Sequence, residues 1–401
     1  MSWNTCDLMS AREGFVMDWK RGGLPFAEVC RRHGVSRKTG YKWLARYEAE
    51  GSAAMADRSR RPAGSPARTK EEVEKRVVGI RLEHPCWGGR KIVRILANQG
   101  MAGPIPAPST VTGILRRHGL LGGGTRGGAA DFTRFERSEP NDLWQMDFKG
   151  HFAMEGGRRC HPLTVLDDHS RYNVVLKACS GESRAVVQPL LEDAFRRCGL
   201  PRQILCDHGS PWGTGLREDG GPYGRTGLGL WLMRLGVDLI HGRPRHPQTQ
   251  GKEERFHRTL RAEVLMRAGS WRDLEHCQRE FDRWSRIYNE VRPHESLGMS
   301  CPDERYRLSP RRYPERLPEV EGFYLADDEL RKVRSKGEIT FCNRTFAIGQ
   351  ALVGETVALR AAGPECHEVF YCWKKLGTID LSKAWKTKGY QNRLEEDEER
   401  E

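Results

Sequence analysis

At Leu143 the spacing of apolar residues changes from every third or fourth position to every second, and this constrains the fold more than any other feature. Trp144, Met146 and Phe148 alternate with Gln145, Asp147 and Lys149, His161 to Asp167 forms a second apolar run, and Asn173 to Cys179 a third. An amphipathic helix follows at 183–198, with Val187, Leu190, Leu191, Ala194, Phe195 and Cys198 on one side. Then come a strand at 203–206, a helix around 228–235, a strand at 237–241, and long helices from about 251 and 271. Three consecutive strands and then alternating helix and strand specify an α/β fold, a mixed sheet with helices against its faces.

Before Leu143 the spacing is helical. Residues 12 to 48 read as three short helices. The first, 13–20, carries Phe15, Val16 and Trp19 on one face; the second opens with Pro25 in its first turn and buries Phe26, Val29 and Cys30. Gly34 permits a tight turn, and Ser36 is placed to cap a third helix from Arg37. There Gly40, Trp43, Leu44 and Tyr47 share a stripe, leaving Arg37, Lys38, Tyr41, Lys42 and Arg46 outward. That is the arrangement of a helix-turn-helix, whose second helix enters the major groove, though an amphipathic hairpin with a solvated basic face has the same spacing. Residues 52–70 form an Arg- and Pro-containing linker in which Arg58, Arg60 and Arg61 either follow phosphates or simply tether. A second helix-turn-helix unit is expected at 71–121 and a flexible joint at 122–128. Domain limits are therefore expected at 1–51, 71–121, 130–310 for the sheet-containing core, and 320–385 for a set of short strands that suggests a small β-barrel. Residues 386–401 read as an acidic tail.

Charge narrows the partner. The formal net charge is +13, and residues 1–140 hold 25 Lys and Arg against 14 Asp and Glu. A positive field gathered in the first third of the chain favours a polyanion, nucleic acid first. The 12 cysteines contain no C-x-x-C pair, so neither a zinc framework nor a disulfide scaffold is indicated. No window approaches ~18 consecutive apolar residues, and the first thirty residues lack a basic start with an apolar core, so a cytoplasmic, nucleoid-associated protein without a membrane partner is expected.

The candidate chemistry is acidic. Asp147 lies on the strand face opposite Trp144, Met146 and Phe148, a costly place for a carboxylate without a partner. Asp207 ends the strand QILC, at the carboxyl edge where ligands of α/β folds bind. A third acid lies in HPQTQGKEERFHRTL, residues 246–260, where Glu253 and Glu254 compete. Helical spacing puts Glu254 beside Arg258 and Arg261, and Glu253 beside His257 and Leu260; proximity to cations that can meet phosphate favours Glu254. Arg243, Arg245, His246, Lys252 and Arg258 would then form a cationic rim for backbone phosphates. Asp168, His169, Ser170 and Arg171 read mainly as turn-forming. Trp212 either stacks on a splayed base or packs within its loop, and the glycine-rich stretch 209–229 reads as a mobile flap.

The blocks WQMDF (144–148), LTVLDDHSRY (163–172), GLPRQILCDHGSPW (199–212), RPRHPQTQGKEERFHRTLRAE (243–263) and YNEVRPHESLGMSCPDERY (288–306) closely resemble, in order, the integrase catalytic core of bacterial insertion-sequence DDE transposases, of the retroviral integrase superfamily. The resemblance implies a ribonuclease-H-like core. It places the Asp, Asp, Glu triad, catalytic and metal-binding, on Asp147, Asp207 and Glu254, the last being the acid before Arg in the family's Gly-Lys-x-Glu-Arg pattern. A basic residue seven positions on is met by Arg261. Two features depart from the family: His208 stands where Asn is common, and the run 209–229 stretches the interval between the second Asp and the Glu.

Three carboxylates supply hard oxygen ligands for two Mg²⁺ or Mn²⁺ ions per site, which activate a water or 3′-hydroxyl and stabilise the departing oxygen. The expected function is a transposase that binds the element's inverted ends, cleaves at the 3′ ends and joins them to target DNA, as a homodimer or larger assembly on double-stranded DNA. The alternatives are a catalytically silent DNA-binding protein derived from a transposase, and a plain ribonuclease-H-like nuclease, which leaves the amino-terminal units without a role.

Overall fold

A computed structural model describes residues 8–58, 69–101, 103–121, 136–213, 226–242, 251–383 and 391–394. They fall into two compact units, Met1–Thr69 and Lys70–Glu401.

The first unit consists of α1 (Leu8–Arg21), α2 (Phe26–Arg32), α3 (Arg37–Glu50) and a 3-10 turn (Gly51–Met55) around Phe15, Val16, Val29, Cys30, Val35, Trp43, Ala54 and Met55, so two of the first residues of the expected linker are packed in its core. Helix α1 begins five residues before the expected start, because Leu8 and Met9 remain solvent-exposed and leave no inward apolar signal. Pro25 stands just outside α2 as its N-terminal cap rather than within its first turn. Gly34 takes φ +63°, the left-handed conformation that glycine adopts without strain. Ser36 then accepts from the Thr39 amide at 3.1 Å, satisfying one of the free donors that start α3. Gly40 lets α3 approach closely, since a Cβ there would lie 2.8 Å from both Cys30 Sγ and Phe15 Cζ.

The second unit opens with α4 (Glu71–Glu83), α5 (Gly89–Asn98) and α6 (Pro108–Arg117), closed around Val77, Trp87, Ile92, Leu96, Val111, Ile114 and Leu115. A sheet follows: β1 (Leu143–Phe148), β2 (Phe152–Ala153), β3 (Arg159–Asp167), β4 (Asn173–Cys179), then β5 (Gln203–Cys206) and β6 (Asp238–His241). Its order is β2-β3-β1-β5-β6, with β4 also paired to β3. Strands β1, β3 and β4 are antiparallel, whereas β5 and β6 run parallel to β1. One face packs Trp144, Met146, Leu163 and Val165 against α7 (Arg184–Cys198) and α8 (Gly227–Arg234) through Leu191, Phe195, Leu228 and Trp231. The other face sets Leu166 and Leu176 against α9 (Gly251–Leu260) and α10 (Leu274–Arg286) through Phe256, Leu260, Phe281 and Trp284. Val165 and Leu166 serve opposite cores by the ordinary alternation of a strand, and the register shift opposite them, between Asn173 and Val175 of β4, puts the neighbours Val174 and Val175 into the same core. This is the mixed α/β core expected from the change of spacing at Leu143.

After the short helix α11 (Pro302–Arg305) the chain forms β7 (Glu329–Lys332), β8 (Glu338–Phe341), β9 (Arg344–Ala347), β10 (Thr356–Ala361), β11 (Cys366–Tyr371), β12 (Lys374–Asp380) and β13 (Gln391–Arg393). These make two sheets, β12-β11-β10-β7 and β13-β9-β8, around Val357, Leu359, Val369, Tyr371, Phe346 and Ile339. Among the described residues the ladders do not close into one barrel, which corrects that expectation. Strand β7 escaped the sequence reading because its ELRK side chains are mostly exposed and only its backbone joins β10.

Candidate active site

Strand register brings the first two acids together. Leu143, Trp144 and Gln145 of β1 pair in parallel with Gln203, Ile204 and Leu205 of β5. The ladder ends there; continued two residues, that register would bring Asp147 level with Asp207, and the charge of Asp207 acts on the Asp147 carboxyl. Burial first, and then the charge of Asp207, push the Asp147 carboxyl up to about 7. Asp207 is exposed beyond the end of β5. Its Oδ1 accepts the Gly209 amide at 2.9 Å and the indole N–H of Trp212.

Helix α9 meets the Asp147 face through a buried polar cluster. Thr164 pairs with Asp147 across β1 and β3. Its hydroxyl lies 2.9 Å from the Asp147 carbonyl, 3.1 Å from Glu253 Oε2 and 2.8 Å from His257 Nε2. The other ring nitrogen of His257 stands 3.9 Å from Asp147 Oδ2. Burial drives His257 down to about 3, so the imidazole is neutral at physiological pH. Burial and the charge of Asp147 raise Glu253 well above the usual carboxylate range. Glu253 is 1% exposed, whereas Glu254, the next residue in the same turn, is exposed. The two acids that sequence spacing left in competition therefore differ in environment: one is sealed beneath Asp147, the other open to solvent. Among the described residues, no three His, Cys, Asp or Glu side chains gather closely enough to hold an ion.

The cations separate in the same way. Arg258 and Arg261 are exposed on α9 and its π-helical continuation. Lys252 is turned inward, its ammonium donating to the Asp168 carboxylate and, at 3.1 Å, to the Asp168 carbonyl. It belongs to a structural pair rather than to a phosphate-facing rim. Asp168 also accepts from Gln145 Nε2 and the Arg137 amide, each at 2.8 Å. The turn itself is held by Asp167, which accepts from the Asn141 and Ser170 amides at 2.7 Å and from the Ser170 hydroxyl. The cluster of Thr164, Glu253 and His257 was missed by sequence reasoning; its signal was the four-residue spacing of Glu253 and His257 opposite a hydroxyl in β3. Trp212 is 2% exposed and stacks on Phe148 with ring centres 5.4 Å apart, so it packs in its loop and is not offered to a base. Residues 209–213 form a tight turn closed by the Gly213 amide on the Gly209 carbonyl at 2.8 Å, so this part of the expected flap is ordered. Residues 214–225, and Arg243, Arg245 and His246, lie outside the described residues.

In the first unit Arg37, Lys38, Tyr41 and Lys42 are exposed along α3, while Arg46 is half-buried with its guanidinium 4.8 Å from the Trp43 ring centre. Arg58 pairs with Glu50; Arg60 and Arg61 lie outside the described residues. Among the described residues no helix is long and apolar enough to cross a membrane.

Comparison with known proteins matches five stretches of the chain. A helix-turn-helix domain covers residues 12–63, a homeodomain-like domain 39–115, integrase core domains 137–247 and 235–302, and the C-terminal domain of IS481 family transposases 328–387. The insertion element IS476 uncharacterized 39.2 kDa protein of Xanthomonas euvesicatoria is 32% identical over 166 residues, 41% of this chain and 44% of that protein. The insertion element IS407 uncharacterized 31.7 kDa protein of Burkholderia multivorans is 30% identical over 166 residues, 41% of this chain and 55% of that protein. The chain thus spans about half the length of these curated relatives. Among solved structures, the HTLV-2 integrase catalytic core domain in complex with magnesium is 13% identical, covering 42% of this chain and 99% of that one with a TM-score of 0.31.

Proposed function

For a chain that belongs to the bacterial insertion-sequence transposases of the retroviral integrase superfamily, we propose a DNA transposase that cleaves its element at the 3′ ends and joins them to target DNA. The observation that supports this reading is the parallel pairing of β1 with β5, whose continuation leads to Asp147 and Asp207, together with the influence of the Asp207 charge on Asp147. Glu254 is the proposed third acid, because a residue that must meet DNA has to be open to it; Glu253 is sealed, and burial disfavours its charged form. The donor set fits magnesium or manganese: it is all oxygen, and burial and then the Asp207 charge penalise an ionised Asp147, which a cation would offset. When bound, two such ions activate the attacking hydroxyl or water and neutralise charge on the leaving oxygen.

The chain's own residues then have separable roles. Asp147, Asp207 and Glu254 supply the oxygen ligands. His257 and Thr164 hold the Asp147 strand against α9. Arg258 and Arg261 meet backbone phosphates, with Arg243 and Arg245 proposed beside them. Arg37, Lys38, Tyr41, Lys42 and Arg46, with Arg58, Arg60 and Arg61, bind the element's ends through the first helix-turn-helix. Joining two ends needs two sites, so the working form is a dimer or larger assembly on double-stranded DNA, in the cytoplasm. The test uses end fragments taken from DNA flanking the coding frame. Asp207→Asn should bind them as the parent does and join none, and joining by that variant would remove Asp207 from the assignment. Glu254→Gln should abolish joining while Glu253→Gln stays within a few fold; the reverse would transfer the role to Glu253.

A further inference from the structure

The loop that follows β5 is wound around the Asp207 carboxylate. Gly209 donates its amide to Oδ1 at 2.9 Å, and a Cβ at Gly209 would lie only 3.2 and 3.3 Å from the two carboxylate oxygens. Gly213 permits the closing approach, since a Cβ there would sit 2.4 Å from the His208 carbonyl oxygen. Trp212 adds a second donor to the same Oδ1 through its indole N–H. Its ring is buried and stacked on Phe148, the residue after Asp147, with an interplanar angle of 17°. Among the described residues no hydrogen bond is made to the other oxygen, Oδ2.

One side chain therefore touches both candidate acids' strands, by packing at the end of β1 and by donation at the end of β5. A buried indole N–H requires an acceptor, and here the acceptor is the carboxylate of an exposed residue whose other described donor is the Gly209 amide. We propose that Trp212 is a positioning residue: by holding Oδ1 it fixes the rotamer of Asp207 and presents Oδ2 to a divalent cation at the level of Asp147. This rests on the reading of Asp207 as a metal ligand, and it acts through that residue rather than on the reacting atoms. The hydrogen bond to a ligand's oxygen sets its orientation and basicity, and losing such a partner typically weakens metal affinity by about ten- to a hundredfold.

The test is calorimetric titration of Mn²⁺ into the full chain without DNA, for the parent, Trp212→Phe and Asp207→Asn. Phenylalanine keeps a ring against Phe148 and removes the donor, at the cost of a smaller side chain in a buried place. Asp207→Asn should lose binding, and Trp212→Phe should bind about tenfold or more weakly with an unchanged circular dichroism spectrum. Equal affinity in Trp212→Phe, with binding lost in Asp207→Asn, overturns the positioning role and leaves the Asp207 reading intact. Undiminished binding in Asp207→Asn overturns the reading itself. If Trp212→Phe fails to fold, the indole resonance of Trp212 in ¹⁵N-labelled parent protein decides. It should shift on Mg²⁺ addition, and a resonance that stays in place overturns the proposal.

Discussion

If Asp147 ligates a cation as proposed, its raised carboxyl would make binding a proton-coupled event with a calculable pH dependence. Burial and the neighbouring Asp207 hold it at about 7 in the metal-free fold, against about 3.9 for an unperturbed Asp. The oxygen must be ionised to serve as a ligand. At pH 6 about one molecule in ten is ionised, and at pH 8 about nine in ten, so apparent affinity for Mn²⁺ should rise about tenfold between them. An unperturbed Asp would be ionised throughout and give no change. The sign for folding is opposite to that of an ordinary ion-paired acid. Because the folded value exceeds the unfolded one, the metal-free fold gains from protonation at low pH and loses that gain as pH rises through about 7. Saturating Mn²⁺ should cancel the loss. Calorimetric titration at pH 6, 7 and 8, repeated in two buffers of different ionisation enthalpy, measures both affinity and protons released. About 0.9 proton released per site at pH 6 and about 0.1 at pH 8 is expected from Asp147. Equal affinities at pH 6 and 8 with no proton release would refute the reasoning.

Other consequences follow from single contacts. Asp167→Ala removes the acceptor of two buried backbone amides, at about 1–3 kcal/mol each, so the urea midpoint of the second unit should fall; an unchanged midpoint would show that water replaces the carboxylate. Gly40→Ala drives a methyl into Cys30 and Phe15 at 2.8 Å, a clash of about 1–3 kcal/mol. Hydrogen exchange should accelerate across α2 and α3, and unchanged protection there would mean that the helices simply move apart. Lys252→Met leaves the Asp168 charge buried and unpaired, about 3–5 kcal/mol destabilising, with no change in the salt dependence of DNA binding. Arg258→Ala should instead lower the slope of log affinity against log salt by about one. A slope lowered by Lys252→Met would return that lysine to the DNA interface.

The sheet was legible because its strands are buried on alternate positions: Trp144, Met146 and Phe148 write a period of two that survives any surrounding sequence. Asp147 stood out as a carboxylate within an apolar strand and Asp207 as the acid that closes the run QILC, while their roles came only from the resemblance. The distinction between Glu253 and Glu254 was only half legible. Helical spacing assigns faces but not depth, and only the fold shows that the face shared with His257 lies on Thr164, beneath the sheet edge. Lys252 misled for a similar reason: a lysine among cations reads as solvent-facing until the β3 to β4 turn is known to hold Asp168 against it. Trp212 carried two readings in the sequence, and packing on Phe148 selects one. The edge strand β7 and the parallel pairing of β13 with β9 depend on backbone hydrogen bonds between segments far apart in sequence, for which side-chain patterning holds no signal.

Asp147, Asp207 and Glu254 are proposed to share divalent cations at the ends of β1 and β5. Anomalous scattering from crystals of the full chain grown with Mn²⁺ tests this most directly. Manganese peaks are expected against the carboxylate oxygens of Asp147 and Asp207, with Glu254 as the third acid. A metal held through Glu253, or no peak beside Asp147 and Asp207 at saturating Mn²⁺, would contradict it.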